Sequence, residues 1–337
     1  MTFLGYDAAI ALPLIFAGLL GLSILLYVIL DGFDLGVGIL LPFAEPDEQD
    51  RMVASVGPFW DANETWLVLG IGILLVAFPV AHGFILTALY LPVAIMLVGL
   101  ILRGVAFEFR IKAPAEKKRL WNAAFVAGSL MTALSQGYML GLYIMGLEAT
   151  TWHVLFALVT ALCVVAGYAL IGATWIIFKT DGELQASAVG WARTCLLGAA
   201  AGLALVSIAT PLVSARIFAK WFSVPEFILL APLPLTAAAL LGVLWMALGH
   251  VGADPKRWDW LPFAATMALF AIAFAGLAYS FYPYIVPERL TIYESASAPE
   301  SLLIILVGVA VVLPIILAYT ALAYYIFRGK ATELRYD

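Results

Sequence analysis

The chain has 337 residues, of which 64% are hydrophobic and only 12% are charged, and its formal net charge is −5. A soluble protein this apolar would lack a polar surface, so the composition indicates a polytopic α-helical membrane protein. No run of basic residues points to nucleic acid, and Cys163 and Cys195 lie in apolar segments without metal-ligand spacing. We therefore expect neither a nucleic-acid partner nor a metal site.

Nine apolar runs are long enough to cross a hydrocarbon core of about 30 Å at roughly 1.5 Å per residue. Their predicted spans are 8–41, 53–78, 83–107, 121–147, 152–178, 187–214, 226–249, 261–283 and 300–327. The connections are too short for a further domain, so residues 1–337 are predicted to be one all-α transmembrane domain. The expected packing is two four-helix bundles plus one peripheral helix.

The distribution of Lys and Arg predicts the orientation of these spans. With the N-terminus outside, 14 of the 17 basic residues fall on the cytoplasmic side, the last of them being Arg335. The outer connections hold three, Arg216, Lys220 and Arg289. Cytoplasmic connections of membrane proteins are enriched in basic residues. We therefore predict an outside N-terminus and a cytoplasmic C-terminus.

Four acids interrupt the first two runs. Asp31 and Asp34 are three residues apart, as are Asp61 and Glu64, and residues three apart share a helix face. An ionisable group deep in a bilayer costs roughly 2.5 to 3.5 kcal/mol, so water, a cation, a proton or a partner must compensate these acids. We interpret them as a proton path, an ion path or a docking face. Alternatively, both pairs lie at helix ends and face cytosolic water.

Neighbouring residues bear on this choice without settling it. Thr65 shares the face of Asp61 and Glu64, so water could relay protons there, but a hard cation could also bind several such oxygens. Arg103, near the inner end of the third span, is either a counter-charge for one acid or an interfacial arginine. Pro58 indicates either a kink in the second helix or a late start.

Two further features concern packing and haem. Gly32 and Gly36 have the spacing that lets two membrane helices approach closely, beside Asp31 and Asp34. The three histidines, His82, His153 and His250, all lie near predicted helix ends. Two facing histidines in mid-membrane would indicate a haem. We therefore do not expect this chain to ligate a haem by itself.

Three segments resemble subunit II of the cytochrome bd-type quinol oxidases, in particular the short, cyanide-insensitive variety. They are DGFDLGVG at 31–38, GPFWDANETW at 57–66 and RGVAFEFR at 103–110, with weaker similarity in FYP at 281–283 and ESAS at 294–297. The first two motifs are specific, and the five segments are distributed from one end of the chain to the other. Family members usually have nine helices, which is similar to the number of runs counted above.

The resemblance implies an accessory subunit of a heterodimer in the bacterial cytoplasmic membrane. In that family, subunit I carries two b-type haems and one d-type haem, oxidises quinol at the outer side and reduces dioxygen to water. Small single-helix subunits are further expected partners, and some members hold a structural quinone in subunit II. The acids that match Asp31, Asp34 and Asp61 look toward the partner and are associated with proton delivery. Glu108 and Lys112 resemble the inner mouth of that path.

The sequence thus predicts an accessory subunit of a quinol:dioxygen oxidoreductase that is not catalytic alone. The predicted roles are a proton path, a counter-charge at Arg103 and a partner interface. The proton path comprises Asp31, Asp34, Asp61, Glu64, Glu108 and Lys112, and the interface Trp60, Asn63 and Trp66. One alternative is a secondary transporter or ion channel with an intramembrane carboxylate site. A second is a scaffold in which the acids only dock a partner.

Overall fold

The computed structural model of the chain describes residues 2–3 and 5–331. Arg335 therefore lies outside the described residues. The helices are α1 Ala8–Leu40, α2 Pro46–Val56, α3 Trp60–Ala77, α4 Pro79–Ala88, α5 Tyr90–Lys112, α6 Ala115–Ile144, α7 Thr151–Lys179, α8 Gly182–Val213, α9 Ala215–Phe222, α10 Glu226–Leu230, α11 Pro232–Ala253, α12 Pro255–Trp258, α13 Trp260–Phe281 and α14 Pro299–Ile326. The strands are β1 Thr2–Phe3, β2 Tyr6–Asp7, β3 Tyr284–Val286 and β4 Leu290–Thr291.

The predicted all-α polytopic class is confirmed. Eight helices of the described part of the chain are both long and apolar enough to cross a membrane. The remaining predicted span, 121–147, corresponds to α6, whose 30 residues are long enough. Its middle carries four polar residues that lower its hydropathy, namely Ser129, Thr132, Ser135 and Gln136. Because the first three are buried, α6 turns this polar side toward protein rather than lipid.

The spanning helices form two groups of four plus one peripheral helix, as predicted. The first bundle comprises α1, α3, α5 and α6, and the second comprises α7, α8, α11 and α13. The two bundles meet where α7 packs against both α6 and α1. Helix α14 touches α1, but only 6% of its most apolar window is buried. Most of the last helix is therefore available to lipid or to another subunit.

Proline residues divide the second and third predicted spans differently from the sequence-based expectation. Helix α2 ends at Val56, and α3 begins only at Trp60, so Pro58 marks a late helix start rather than a kink. Pro79 then opens α4 directly after α3. Proline lacks the backbone N–H that a helix interior requires, whereas the first turn of a helix tolerates it. The predicted span 53–78 is thus shortened to α3.

The two short hairpins were not predicted from the sequence. Strand β1 pairs with β2, and β3 pairs with β4, both antiparallel. Each strand has only two or three residues, too few for an alternating pattern to be recognised. The second hairpin is fixed to the first bundle, because the Tyr143 hydroxyl donates to the Ile285 carbonyl at 2.8 Å.

The close helix packing predicted beside Asp31 and Asp34 is confirmed where α1 crosses α7. A Cβ atom added at Gly36 would lie 1.8 Å from the Tyr168 carbonyl oxygen, and one added at Gly172 would lie 2.4 Å from the Gly36 carbonyl carbon. A Cβ at Gly32 would lie 2.9 Å from the Tyr168 ring. The two bundles can therefore approach this closely only because glycine has no side chain.

Ion pairs tie together the connections at each end of the molecule. At the end where α1, α5, α7 and α11 finish, these pairs are Arg110–Asp50 at 2.7 Å, Lys118–Asp50 at 2.8 Å, Arg51–Asp181 at 2.8 Å and Lys330–Asp259 at 2.6 Å. At the opposite end they are Arg216–Glu288 at 3.1 Å and Arg289–Glu148 at 2.6 Å. The connections predicted to be cytoplasmic therefore do gather on one side.

Candidate functional site

The two acids of α1 lie inside the chain rather than on its surface. Asp31 is 0% exposed and Asp34 is 1% exposed. The resemblance to the oxidase family implied that these acids look toward a partner. Both instead contact side chains of α3 and α5, because α1 has neighbours on several sides and the glycines of its last third admit α7 closely. Their surroundings are protein groups, neither lipid nor a subunit boundary.

Arg103 joins the buried Asp31 to an acid that reaches the surface. Its Nη2 atom donates to Asp31 Oδ1 at 2.5 Å and also to Glu64 Oε1. The Arg103 side chain is 2% exposed, whereas that of Glu64 is 26% exposed. A charge this deeply buried does not fit an interfacial arginine, which would extend to water. The three side chains form a bridge from the interior of the first bundle to its α3 surface.

Asp34 is held by an amide instead of a cation. Asn63 Nδ2 donates to Asp34 Oδ2 at 2.8 Å and to the Leu30 carbonyl at 3.2 Å. The Tyr324 hydroxyl donates in turn to Asn63 Oδ1 at 3.1 Å. This group connects α1, α3 and α14. Sequence reasoning missed Tyr324, because nothing in the sequence distinguishes its hydroxyl from those of Tyr319, Thr320 and Tyr325 on the same helix.

A second polar chain runs from α7 to α1. The Tyr168 hydroxyl donates to Gln136 Oε1 at 2.5 Å, and Gln136 Nε2 donates to the Tyr27 hydroxyl oxygen at 2.7 Å. Tyr27 lies one turn before Asp31 on the same face of α1, and its hydroxyl is next to the Asp31 carboxyl group. Sequence reasoning missed these three residues, although an amide in the middle of α6 was a signal.

A narrow gap adjoins the acids on the side of α3 and α5. It is lined by Asp34, Val56, Trp60, Arg103, Phe107 and Phe125, and it is narrower than a water molecule. Trp60 closes it by packing against Phe107, with ring centroids 5.3 Å apart. A water molecule would therefore need a movement of these rings to reach Asp34 from this side.

The remaining predicted path residues lie outside this cluster. Asp61 and Thr65 are exposed on α3, and Glu108 and Lys112 are exposed on α5. Of the predicted partner contacts, Trp60 is half-buried, whereas Asn63 is 0% exposed and Trp66 is 1% exposed. The latter two cannot contact a partner, because both are on the side of α3 that packs inside this chain.

The family of the chain follows from comparison with known proteins. The sequence model of the family "Cytochrome bd terminal oxidase subunit II" matches residues 12–327. The chain belongs to this family. As a cytochrome bd subunit II, it is a multi-pass bacterial membrane protein and part of a respiratory oxidoreductase complex. The comparisons give no support to the transporter or channel alternative.

Individual relatives agree with this assignment. Cytochrome bd ubiquinol oxidase subunit 2 of Bacillus subtilis (strain 168) is 27% identical over 323 residues, which cover 90% of this chain and 92% of that protein. Cytochrome bd-I ubiquinol oxidase subunit 2 of Escherichia coli (strain K12) is 25% identical over 359 residues, which cover 94% of each chain. The solved bd oxidase of Geobacillus thermodenitrificans shares the fold, with a TM-score of 0.69 at 20% identity, over 95% of this chain and 100% of that chain.

The histidines of this subunit II do not fit a haem held by two axial ligands. His153 Nδ1 lies 2.8 Å from the Glu148 carbonyl oxygen, and His250 Nδ1 lies 2.8 Å from that of Met246. These two histidines are at opposite ends of the molecule, and His82 is on α4. The described residues also include no group of three or more His, Cys, Asp or Glu side chains that could hold a metal ion.

The second bundle contains an apolar cavity of about 470 Å³. It lies between α8, α11 and α13, and the short helices α9 and α10 border it near the end opposite the basic connections. Its lining includes Val206, Thr210, Trp221, Phe227, Ala237 and Leu277. A cavity of this size and polarity suits an apolar ring or chain.

Proposed function

We propose that this chain is the accessory membrane subunit of a quinol:dioxygen oxidoreductase, and that it supports subunit I and supplies part of the cytoplasmic proton path. The observation that carries the proposal is the bridge formed by Asp31, Arg103 and Glu64. It connects a fully buried acid to an acid at the surface of the membrane-spanning part. An apolar bundle retains such groups at a considerable energetic cost, which function explains better than packing does.

The exposed side of α3 is the proposed contact with subunit I. Asp61, Glu64 and Thr65 lie there beside apolar residues such as Val68, which is 72% exposed. Each carboxylate would cost roughly 2.5 to 3.5 kcal/mol in lipid, so a protein partner is the more favourable neighbour. Of the predicted interface residues, Trp60 remains in this role.

The proposed path enters at the end that carries the basic connections. Glu108 and Lys112 are exposed near the inner end of α5 and form its mouth, and Asp61 and Glu64 lead to Arg103, Asp31 and Asp34. The excess of Lys and Arg at this end supports an outside N-terminus and a cytoplasmic C-terminus. Protons taken from the inside, with quinol protons released outside, would make turnover electrogenic.

Subunit I is proposed to carry the two b-type haems and the d-type haem, which supply the oxygen chemistry of the complex. This agrees with a histidine arrangement in the described chain that does not fit a haem. Small single-helix subunits and lipid are the proposed neighbours of the exposed side of α14. The cavity in the second bundle is the proposed place for a structural quinone, because its lining is mostly apolar and includes aromatic rings.

The central test uses the purified complex with its coloured partner. We expect Glu64→Gln to slow quinol-driven oxygen consumption at least tenfold while the haem spectrum and subunit ratio stay unchanged, because the variant removes the titratable group from the bridge but keeps its shape. Asp61→Asn should slow it less. Glu148→Gln is the matched control, since it also neutralises an ion-paired acid, but at the opposite end.

Two results would overturn the proposed path. Unchanged oxygen consumption in Glu64→Gln and Asp61→Asn would remove the proton role. Loss of subunit I from both variants, with normal turnover in the complex that remains, would favour the scaffold. Ion uptake by the chain alone in vesicles would instead support a transporter.

The quinone site has a separate test. Ala237→Phe places a ring in the cavity and should lower the quinone extracted from the purified complex, with no change in haem content. Ala238→Phe on the same helix is the matched control, because Ala238 is exposed. Equal quinone content in both variants would contradict this site.

A further inference from the structure

The acid cluster contains more carboxyl groups than cations. Arg103 is paired with Asp31 and Glu64, and both pairs use its Nη2 atom. Asp34 has only a neutral donor, the Asn63 amide, at 2.8 Å. Among the described residues, no donor lies within hydrogen-bond distance of Asp34 Oδ1. The two acids of α1 are therefore equally buried but have different partners.

The polar chain through Gln136 favours one direction of its hydrogen bonds. The Tyr27 oxygen accepts from Gln136 Nε2, so the Tyr27 hydrogen remains free for another acceptor. The nearby acceptor is Asp31, one turn further along α1, whose Oδ2 atom has no hydrogen-bond partner among the described residues. With the Gln136 amide reversed, Tyr27 would donate to Gln136 and Asp31 Oδ2 would gain nothing. The observed direction thus leaves the Tyr27 hydrogen free for Asp31.

We propose that the two acids of α1 are in different protonation states in the resting complex: Asp31 is ionised, and Asp34 carries the proton. In this assignment, Tyr27, Gln136 and Tyr168 are positioning residues that act through Asp31. Asp34 is the acid from which a proton can leave and to which it can return. This assignment adds protonation states to the proposed function. It rests on the proposed function only for the use of the proton in oxygen reduction.

The charges around Asp34 agree with this assignment. The charged or titratable groups near it are Asp31 on its own helix, Glu64 on α3, Arg103 on α5 and Tyr324 on α14. If all three carboxyl groups were ionised, one guanidinium would face three negative charges inside a bundle. An unpaired buried charge is far more costly than a neutral, hydrogen-bonded acid. A proton on Asp34 removes that cost and leaves the Arg103 bridge intact.

Infrared spectroscopy of the purified complex tests the assignment directly. A protonated carboxylic acid has a carbonyl stretch that is separate from carboxylate stretches and moves in D₂O. We expect such a band in the unmodified complex and its loss in Asp34→Asn, but not in Asp31→Asn. Labelling aspartate with ¹³C at the carboxyl carbon should move the band, which excludes Glu64 as its source.

The positioning residues are tested with a conservative pair. Tyr27→Phe removes the free hydroxyl hydrogen near Asp31, so the proton should divide between the two acids and the band should split or broaden. Tyr143→Phe is the matched control, because this buried α6 hydroxyl bonds the Ile285 carbonyl instead. A role of Tyr27 in packing alone would leave the band unchanged. If Asp34→Asn does not assemble, the aspartate label and Tyr27→Phe still decide.

Several outcomes would overturn the assignment: no protonated-aspartate band, loss of the band in Asp31→Asn, or a band unaffected by Tyr27→Phe. These results are separate from failure of the proposed function. If the band behaves as expected while Glu64→Gln and Asp61→Asn consume oxygen normally, the protonation states stand and the proton path fails.

Discussion

The two bundles satisfy their buried polar groups in different ways. In the second bundle, buried hydroxyls donate hydrogen bonds to carbonyls three or four residues earlier on the same helix. Examples are Thr210 with Val206, Thr266 with Pro262 and Ser280 with Gly276. In the first bundle, Asp31, Asp34 and Arg103 find partners only on other helices. A hydroxyl can be satisfied locally, but a carboxylate or a guanidinium needs neighbours. The first bundle is therefore the one whose interior depends on a specific arrangement of helices.

Of the variants that test this difference between the bundles, removal of the central cation, Arg103, should have the largest effect on stability. Arg103→Met leaves Asp31 and Glu64 without a counter-charge, and breaking a buried ion pair costs about 3 to 5 kcal/mol. We expect a much lower unfolding temperature of the complex in detergent and reduced yield. The measurement is thermal unfolding, monitored through the loss of haem absorbance and through light scattering.

A double variant separates charge from packing in this experiment. Arg103→Met combined with Asp31→Asn removes both members of the buried pair, so part of the lost stability should return. If the double variant is as unstable as the sum of both single variants, Arg103 stabilises the bundle through its volume and not through its charge.

The converse experiment places an acid in the second bundle. Thr266 is 0% exposed on α13, and its hydroxyl donates to the Pro262 carbonyl. Thr266→Asp should cost roughly 2.5 to 3.5 kcal/mol, because the helices around it provide no arrangement that accepts a carboxylate. Thr266→Val is the control and should be nearly neutral. Equal unfolding temperatures for the two variants would show that the second bundle tolerates a carboxylate after all.

The contact between the bundles should respond to a smaller change. Gly36→Ala puts a methyl group against the Tyr168 backbone, and overpacking of this kind costs about 1 to 3 kcal/mol. Gly18→Ala is the matched control on α1, since a Cβ there has nothing within 4 Å. We expect only Gly36→Ala to lower the unfolding temperature. No difference between the two would mean that α1 and α7 are free to separate.

The sequence predicts the fold better than it predicts the site. Apolar runs locate the spanning helices, and glycine spacing correctly indicates where α1 approaches another helix. The positions of prolines shift helix ends by several residues, as between Val56 and Trp60. Helix α6 shows where hydropathy fails to identify a spanning helix. Its polar residues face protein, but they lower the mean hydropathy of the helix.

The site is only partly predictable because its partners are distant in sequence. Acids in an apolar run are visible at once, and so is an arginine near a helix end. That Tyr324 reaches Asn63, or Tyr168 reaches Gln136, depends on helix packing that no local pattern records. The predicted interface was wrong for Asn63 and Trp66 because α3 has polar residues on both its exposed and its buried side, so the sequence does not reveal which side faces the protein interior.

The smallest expected effect concerns the cytoplasmic end of the first bundle. Burial would raise the pKa of Asp50, but hydrogen bonds from Lys118 and Arg110 more than offset this, so its pKa lies below the ordinary value. These pairs therefore stabilise the folded chain above the unfolded pKa of about 3.9 and cease to do so as the pH falls through the lower folded value.

Because the Asp50 side chain is 38% exposed, solvent screening limits this contribution to less than about 1 kcal/mol. Asp50→Asn should slightly lower the unfolding temperature at neutral pH, and the difference from the unmodified chain should shrink once the pH is well below 4. Glu45→Gln is the control, because this exposed acid makes no capping hydrogen bond at the start of the same helix. A difference that persists in acid would mean that Asp50 acts through its shape. In that case the ion pairs of Asp50 would contribute nothing to stability through their charge.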